Sequence, residues 1–292
     1  MKLSILHLIY QTSALCWVSK NASPETLFAM CRGVVGLSLH FNPHTQRYLT
    51  PIRSVLKPHM DGDRLRRIVE MHLVYRRYLD NLPFVWREWS QKENRWFHVE
   101  GENYLGEALA IGKGAILVSS HNYGVNRLIP PILGKMGYPI SRVGGWNRQD
   151  IIKYWGDESA RTWRHLNVGS DGWARLRVTR QIAKILSENS LVYMSMPNRL
   201  TGAPDQEVRL FGRKFFIDLA MVRLLDSLRV TILPCFAICN DRGEIKIAIH
   251  PPLNGSVSAM SKSYCRLFSR YLTEHPEFCR FWKPLVQRKD QW

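Results

Sequence analysis

The sequence predicts an α/β protein, a mixed central sheet flanked by helices, with an apolar helical segment in front of it. Three observations carry that prediction. From Gly101 onward, short apolar runs such as AILVSS and LVYMSMP alternate with longer segments whose apolar residues recur at helical spacing. Gly and Pro fall between these runs as punctuation, with no internal repeat and no low-complexity linker. Hydrophobic residues make up 45% of a 292-residue chain, enough for a sizeable core and too many for a disordered one.

Taken in order, the chain opens with MKLSILHLIYQTSALCWVSK, one lysine and then an apolar run. His7 and Gln11 interrupt the run, and no small-x-small cleavage site follows as in a signal peptide. SALC matches a lipoprotein box only loosely, because leucine stands directly before the cysteine. No stretch reaches the ~20 apolar residues of a confident membrane span. A second apolar segment, ETLFAMCRGVVGLSLHF, contains a single arginine. Two such helices flanked by basic residues suit a protein lying on a membrane, and they equally suit ordinary core helices. The expected division is residues 1–45 as the apolar, membrane-proximal segment and 46–292 as the α/β domain. Arg64 to Trp89 reads as an amphipathic helix with an arginine-rich polar face, which Pro83 should end or kink.

Beyond Gly101, YLGEALAIGKG reads as a short helix ending in glycines and AILVSS as a buried strand. RLIPPILGKMG reads as a helix, YPISRVGG as a strand and ESARTWRHL as helix-like. ARLRVTRQIAKILSEN is a strongly amphipathic helix, LVYMSMP a strand and FIDLAMVRLLDSL a helix. VTILPCFAIC and EIKIAIHPPL are strands, and SKSYCRLFSRYLTEHPEFCRFW is the terminal helix.

Lys and Arg total 41 against 24 Asp and Glu, a balance of +17. That charge attracts nucleic acid, anionic lipid or an acidic carrier protein. The chain has no RNP pattern, helix-turn-helix signature or zinc knuckle, so no nucleic-acid partner is expected. The six cysteines form no C-x-x-C pair, which fits a reducing compartment better than a disulfide framework. Cys235 and Cys239 should point the same way from one strand, into the core. His40 and His44 flank FNP, where Pro43 argues against a helical zinc pair, and no metal is expected.

The stretch VSSHNYGVNR holds the leading site candidate. Ligands in α/β sheets sit outside the carboxyl ends of strands. His121 follows AILVSS directly, beside a turn containing Gly124, with Asn126 five residues on. Pro130 and Pro131 fit only the first turn of a helix, which puts its start near Arg127 or Leu128. Asn126 then reads as an N-cap, a role in which aspartate would serve equally well and preserve the fold.

In this order and spacing the chain resembles the lysophospholipid acyltransferase superfamily, specifically the branch that acylates lipid A. The resemblance rests on GKGAILVSSH, on RLFGRKFFIDLAMVRLLDSLRVTILPCFAICNDRGEIKIAIHPPL and on the closing HPEFCRFW. It implies a glycerolphosphate-acyltransferase-like fold and transfer of a fatty acyl group from a thioester, on acyl carrier protein or CoA, to a hydroxyl or amine acceptor. No further cofactor is implied. The family histidine, a general base, maps onto His121, and its Asp/Glu partner maps onto Asn126, so His-x4-Asp/Glu has become His-x4-Asn. Asn198 and Arg199 stand where the family carries a Pro-Asp-Gln-like turn. Arg164 matches a substrate-holding arginine, and Arg213 with Lys214 follows a Phe-Gly turn at the site's rim. The expected location is the cytoplasmic face of a bacterial inner membrane, held peripherally. A catalytically silent relative that binds acyl chains or partner proteins is the alternative reading.

Overall fold

A computed structural model of the chain describes residues 23–41, 43–91, 96–120, 124–144, 163–167, 172–196, 198–199, 206–217, 228–280 and 282. Helix α1 (Pro24–Phe41) starts at Ser23, whose hydroxyl accepts the Thr26 N–H at 3.2 Å. Helix α2 (Pro43–Leu56) follows, then α3 (Gly62–Gln91), capped by Asp61, which accepts the Arg64 N–H at 2.8 Å. The Arg64 backbone N–H first, then those of Asp61 and Asp63, hold the Asp61 carboxyl below its usual pKa. α3 runs through Pro83 rather than stopping there. A proline removes one hydrogen bond from the ladder, and the turns on either side continue it. Phe28 of α1 packs its ring 5.5 Å from Tyr75 and 5.3 Å from Tyr78 of α3. No helix among the described residues is long and apolar enough to cross a membrane.

The main sheet has seven strands in the order β1-β10-β9-β2-β5-β3-β4. They are β1 (Phe97–Glu100), β2 (Ala115–Ser120), β3 (Ile140–Gly144), β4 (Trp163–Asn167), β5 (Leu191–Met196), β9 (Thr231–Cys239) and β10 (Ile245–Ile249). All neighbours run parallel except β10 with β9, so the sheet is mixed, as the sequence predicts. β2 lies near the middle, and all six of its residues are buried. That explains its unbroken apolar pattern: a strand covered on both faces has no polar side to show. Among the helices of this part of the chain are α4 (Glu102–Ala110), α5 (Ile129–Lys135), α6 (Gly172–Ser187) and α7 (Val257–Glu274). Gly114 carries the chain from α4 into β2 at φ +64, where a Cβ would sit 2.4 Å from the Ser190 carbonyl oxygen. α7, capped by Ser256, lays Tyr264, Phe268 and Tyr271 against Phe236 of β9, with Tyr271 stacked at 4.5 Å.

A second, three-stranded antiparallel sheet has the order β6-β8-β7, from β6 (Asn198–Arg199), β7 (Gln206–Leu210) and β8 (Arg213–Ile217). β7 and β8 form a hairpin through Phe211 (φ 47) and Gly212 (φ 71), the paired positive angles of a two-residue loop. Four expectations therefore change. ESARTWRHL ends in strand β4 rather than helix. Phe216 and Ile217, expected to start a helix, close strand β8, and residues 218–227 lie outside the described residues. The terminal helix starts at Val257, earlier than expected. It stops at Glu274, because Pro276 bars its continuation.

Candidate functional site

The carboxyl end of β2 is fastened through its last two backbone carbonyls and through Asn126. The Tyr264 hydroxyl donates to the Ser119 carbonyl at 2.6 Å. The Asn126 amide N–H donates to the Ser120 carbonyl at 3.2 Å. The Asn126 side-chain oxygen accepts the Ala237 N–H of β9 at 2.8 Å, and the Tyr193 hydroxyl of β5 donates to the Asn126 backbone carbonyl at 2.9 Å. Asn126 is 1% exposed.

The reason lies in the register. β2 pairs with β9 from Ala115↔Thr231 to Val118↔Pro234. Pro234 has no N–H, and Ala237 lies three residues beyond that last pair. The Asn126 side chain fills the opening as a peptide group would, with one acceptor towards β9 and one donor towards β2. Asparagine is the short side chain that offers both. A carboxylate could take the Ala237 N–H but would set a second acceptor against the Ser120 carbonyl.

The expected N-cap role is not what the structure shows. Asn126 sits inside a 3-10 turn, Gly124–Leu128, and α5 begins at Ile129 with Leu128 as its cap, making no side-chain bond. Pro130 and Pro131 fall in the first turn of α5, as their missing N–H groups require.

His121 lies outside the described residues; its described neighbours are Ser120 and Gly124. The register brings two other candidates to the same end of the sheet. Ser120 pairs with Met196 of β5, and Asn198 and Arg199 follow within three residues on β6. Arg213 stands at the hairpin end of β8, opposite Leu210, away from the β6 pairing at Phe216 and Ile217. Lys214 pairs with Arg209. Arg164 is not brought near. It pairs with Ser141, which pairs with Val192, which pairs with Ile116. Its backbone is three strands from β2, about 14 Å across, and level with a residue about 13 Å short of Ser120. Cys235 and Cys239 are both buried, as expected, and burial pushes both thiols well above the usual range, which argues against a nucleophile.

On the other side of the same 3-10 turn lies a cavity of about 190 Å³. It is lined from α3 by His72, Arg76 and Asp80, from the turn by Gly124 and Arg127, and from the C-terminal segment by Glu277 and Arg280. Arg127 Nη1 pairs with Asp80 at 3.2 Å, while its Nε and Nη2 are buried with no hydrogen-bond partner. His72 Nδ1 lies 2.8 Å from the Glu277 carbonyl. A carbonyl only accepts, so Nδ1 carries the proton. Burial, with Arg76 and Arg280 nearby, lowers the His72 pKa to about 4, so the ring is neutral at pH 7. Sequence reading missed this cavity, because its lining comes from three distant segments.

A sequence-family profile described as bacterial lipid A biosynthesis acyltransferase matches residues 2–278, nearly the whole chain. A search of curated proteins gave no match.

Proposed function

Because the chain belongs to the bacterial lipid A biosynthesis acyltransferase family and is an acyltransferase, we propose that it moves a fatty acyl group from a thioester to a hydroxyl or amine, with His121 as the general base. The donor is an acyl group on acyl carrier protein or CoA. His121 takes the proton from the acceptor's O–H or N–H as that atom attacks the thioester carbonyl carbon. The tetrahedral intermediate expels the thiolate, which takes the proton back from the imidazolium, giving ester or amide and free thiol. The observation that carries this reading is the fastening on either side of His121. Before it, the Ser119 carbonyl is bonded to Tyr264 of α7 and the Ser120 carbonyl to Asn126; after it, Asn126 is bonded to Tyr193 of β5 and Ala237 of β9.

Asn126 is in this reading a positioning residue. Its amide is spent on two backbone groups, and no carboxylate stands at its position to stabilise the imidazolium. That favours an acceptor that asks less of its base, such as an amine. Asn198 and Arg199 would meet substrate at the same end of the sheet, and Arg213 at its rim. Arg164 would reach only a distant part of a substrate.

The test is His121→Ala with an acyl thioester and paired hydroxyl and amine acceptors. Transfer should fall by about 10² to 10⁴ with the fold unchanged. Unchanged turnover removes His121 from the mechanism.

The enzyme is further proposed to lie on the cytoplasmic face of the inner membrane. Supporting this are the charge of +17 and two exposed apolar residues one turn apart on α1, Leu37 (58% exposed) and Phe41 (79%). It should float with anionic vesicles at low salt and less at high salt. A protein that stays wholly soluble at low salt would refute the location.

A further inference from the structure

We infer that the outer face of α7 is a docking surface for an acidic protein helix, one belonging to the carrier that delivers the acyl thioester. α7 presents Lys262, Arg266 and Arg270 at exposed positions, each four residues from the next. At about 1.5 Å per residue the three charges form one stripe about 12 Å long. No Asp or Glu occurs between Val257 and Thr273, and Glu274 only ends the helix. Among the described residues no ion pair involves any of the three cations. Like charges four residues apart weaken a helix, and no carboxylate lies between these to offset them.

What surrounds the stripe selects the partner. The other exposed positions of α7 before Glu274 are Ser258, Ala259, Ser263 and Thr273. Its large apolar side chains turn inward: Met260, Tyr264, Phe268, Tyr271 and Leu272 are buried, and Val257 and Leu267 pack against the core. A helix that enters a bilayer interface shows large apolar residues there, as α1 does with Leu37 and Phe41. α7 shows a cationic face of small residues instead, which fits a second helix carrying carboxylates at the same spacing. The stripe also lies beside the proposed transfer site. The Tyr264 hydroxyl holds the Ser119 carbonyl, and Tyr271 stacks on Phe236. Phe236 stands two residues past the Val118↔Pro234 pair, so it is level with Ser120. A partner on the outer face of α7 is thus about one helix diameter, ~10–12 Å, from the sheet at the carboxyl end of β2. A thioester on a carrier's prosthetic arm spans that distance. The partner's role as donor rests on the acyl-transfer reading above; the surface itself does not.

The test titrates the full chain into fluorescently labelled apo acyl carrier protein, an acidic helical protein with no acyl group attached, at constant salt. Saturable binding is expected, weakened about tenfold or more in the double variant Lys262→Glu, Arg266→Glu. Arg180→Glu with Lys184→Glu, on the exposed face of α6, makes the same change in net charge and should alter binding less than about threefold. Equal weakening in both double variants overturns the surface, because the carrier then meets only the general positive charge. Undiminished binding in the α7 variant overturns it as well. Flotation with anionic vesicles should be unchanged in the α7 variant; loss of flotation with carrier binding kept makes the stripe a membrane face and overturns the proposal. With acylated carrier as donor, the α7 variant should raise KM about tenfold and leave kcat close to its unaltered value. An unmoved KM overturns the surface and leaves the proposed reaction intact. Carrier binding that depends on the stripe, with no transfer from any donor, sinks the reaction and supports the surface.

Discussion

Asn126 and Arg127 are consecutive residues on one 3-10 turn, and they face opposite ways in every sense. Asn126 looks into the sheet, and its side-chain oxygen, amide and backbone carbonyl are each bonded. Arg127 looks towards α3, with two of its three guanidinium nitrogens buried and unbonded. On the side that meets the sheet, Asn126 commits its side-chain oxygen, its amide and its backbone carbonyl to architecture. The side that meets α3 leaves capacity over. Changes on the first side should therefore cost more stability than changes at the exposed rim of the second.

The largest expected effect is on the sheet side. Asn126→Asp removes the donor to the Ser120 carbonyl and buries a carboxylate beside it, which should destabilise the fold by about 3 kcal/mol or more at pH 7. Burial raises that carboxyl's folded pKa, so its protonated form, a donor again, returns as pH falls. The deficit against the unaltered chain should shrink between pH 7 and pH 5 in urea unfolding. Aspartate should also bring no gain in acyl transfer. A stable, faster Asn126→Asp enzyme would break the comparison.

His72 is the satisfied polar group on the cavity side, and its contribution depends on staying neutral. Its folded pKa of about 4 lies below the ordinary histidine value of 6.5, so the unfolded chain takes up a proton first as pH falls. Stability is fully present above about 6.5 and drains as pH falls towards 4. Between pH 7 and pH 5 this amounts to about 2 kcal/mol. His72→Gln, which can still donate to the Glu277 carbonyl, should lose that much less over the same range. Equal acid sensitivity in both proteins would place the burden elsewhere. The smallest effect belongs to Arg280→Gln, expected to stay within about 0.5 kcal/mol of the unaltered chain in unfolding, because the residue is exposed. A large loss there would make Arg280 structural and blur the contrast.

The sheet was legible because its strands are buried on both faces, and AILVSS, LVYMSMP and VTILPCFAIC announce that directly. The segment ending in TWRHLN was not, since an edge strand mixes polar and apolar residues and gives no clean period. The β7–β8 hairpin did leave a mark. Alternation in EVRL just before the two residues Phe211 and Gly212, with a second apolar run in KFFI after them, is compatible with a hairpin. Asn126 was found for the right position and the wrong reason. A local rule suggested a cap, whereas its partner Ala237 is 111 residues away, and nothing nearby in sequence points to it. The arginine cavity is hidden for the same reason, with Arg76, Arg127 and Arg280 each unremarkable in its own segment.

The cavity wall closes through the bond between His72 and Glu277, which spans 205 residues, as Tyr78 reaches Gly243 across 165. Such distant partners make for slow folding, because the intervening chain must be gathered before either contact is rewarded. During synthesis α3 emerges early, its cavity-facing Arg76 still in water, until the segment around residue 280 has left the ribosome. The nascent chain thus carries a strongly basic, unfinished surface for most of its time in translation. It acquires the walled cavity and the fastened turn beside it only at the end.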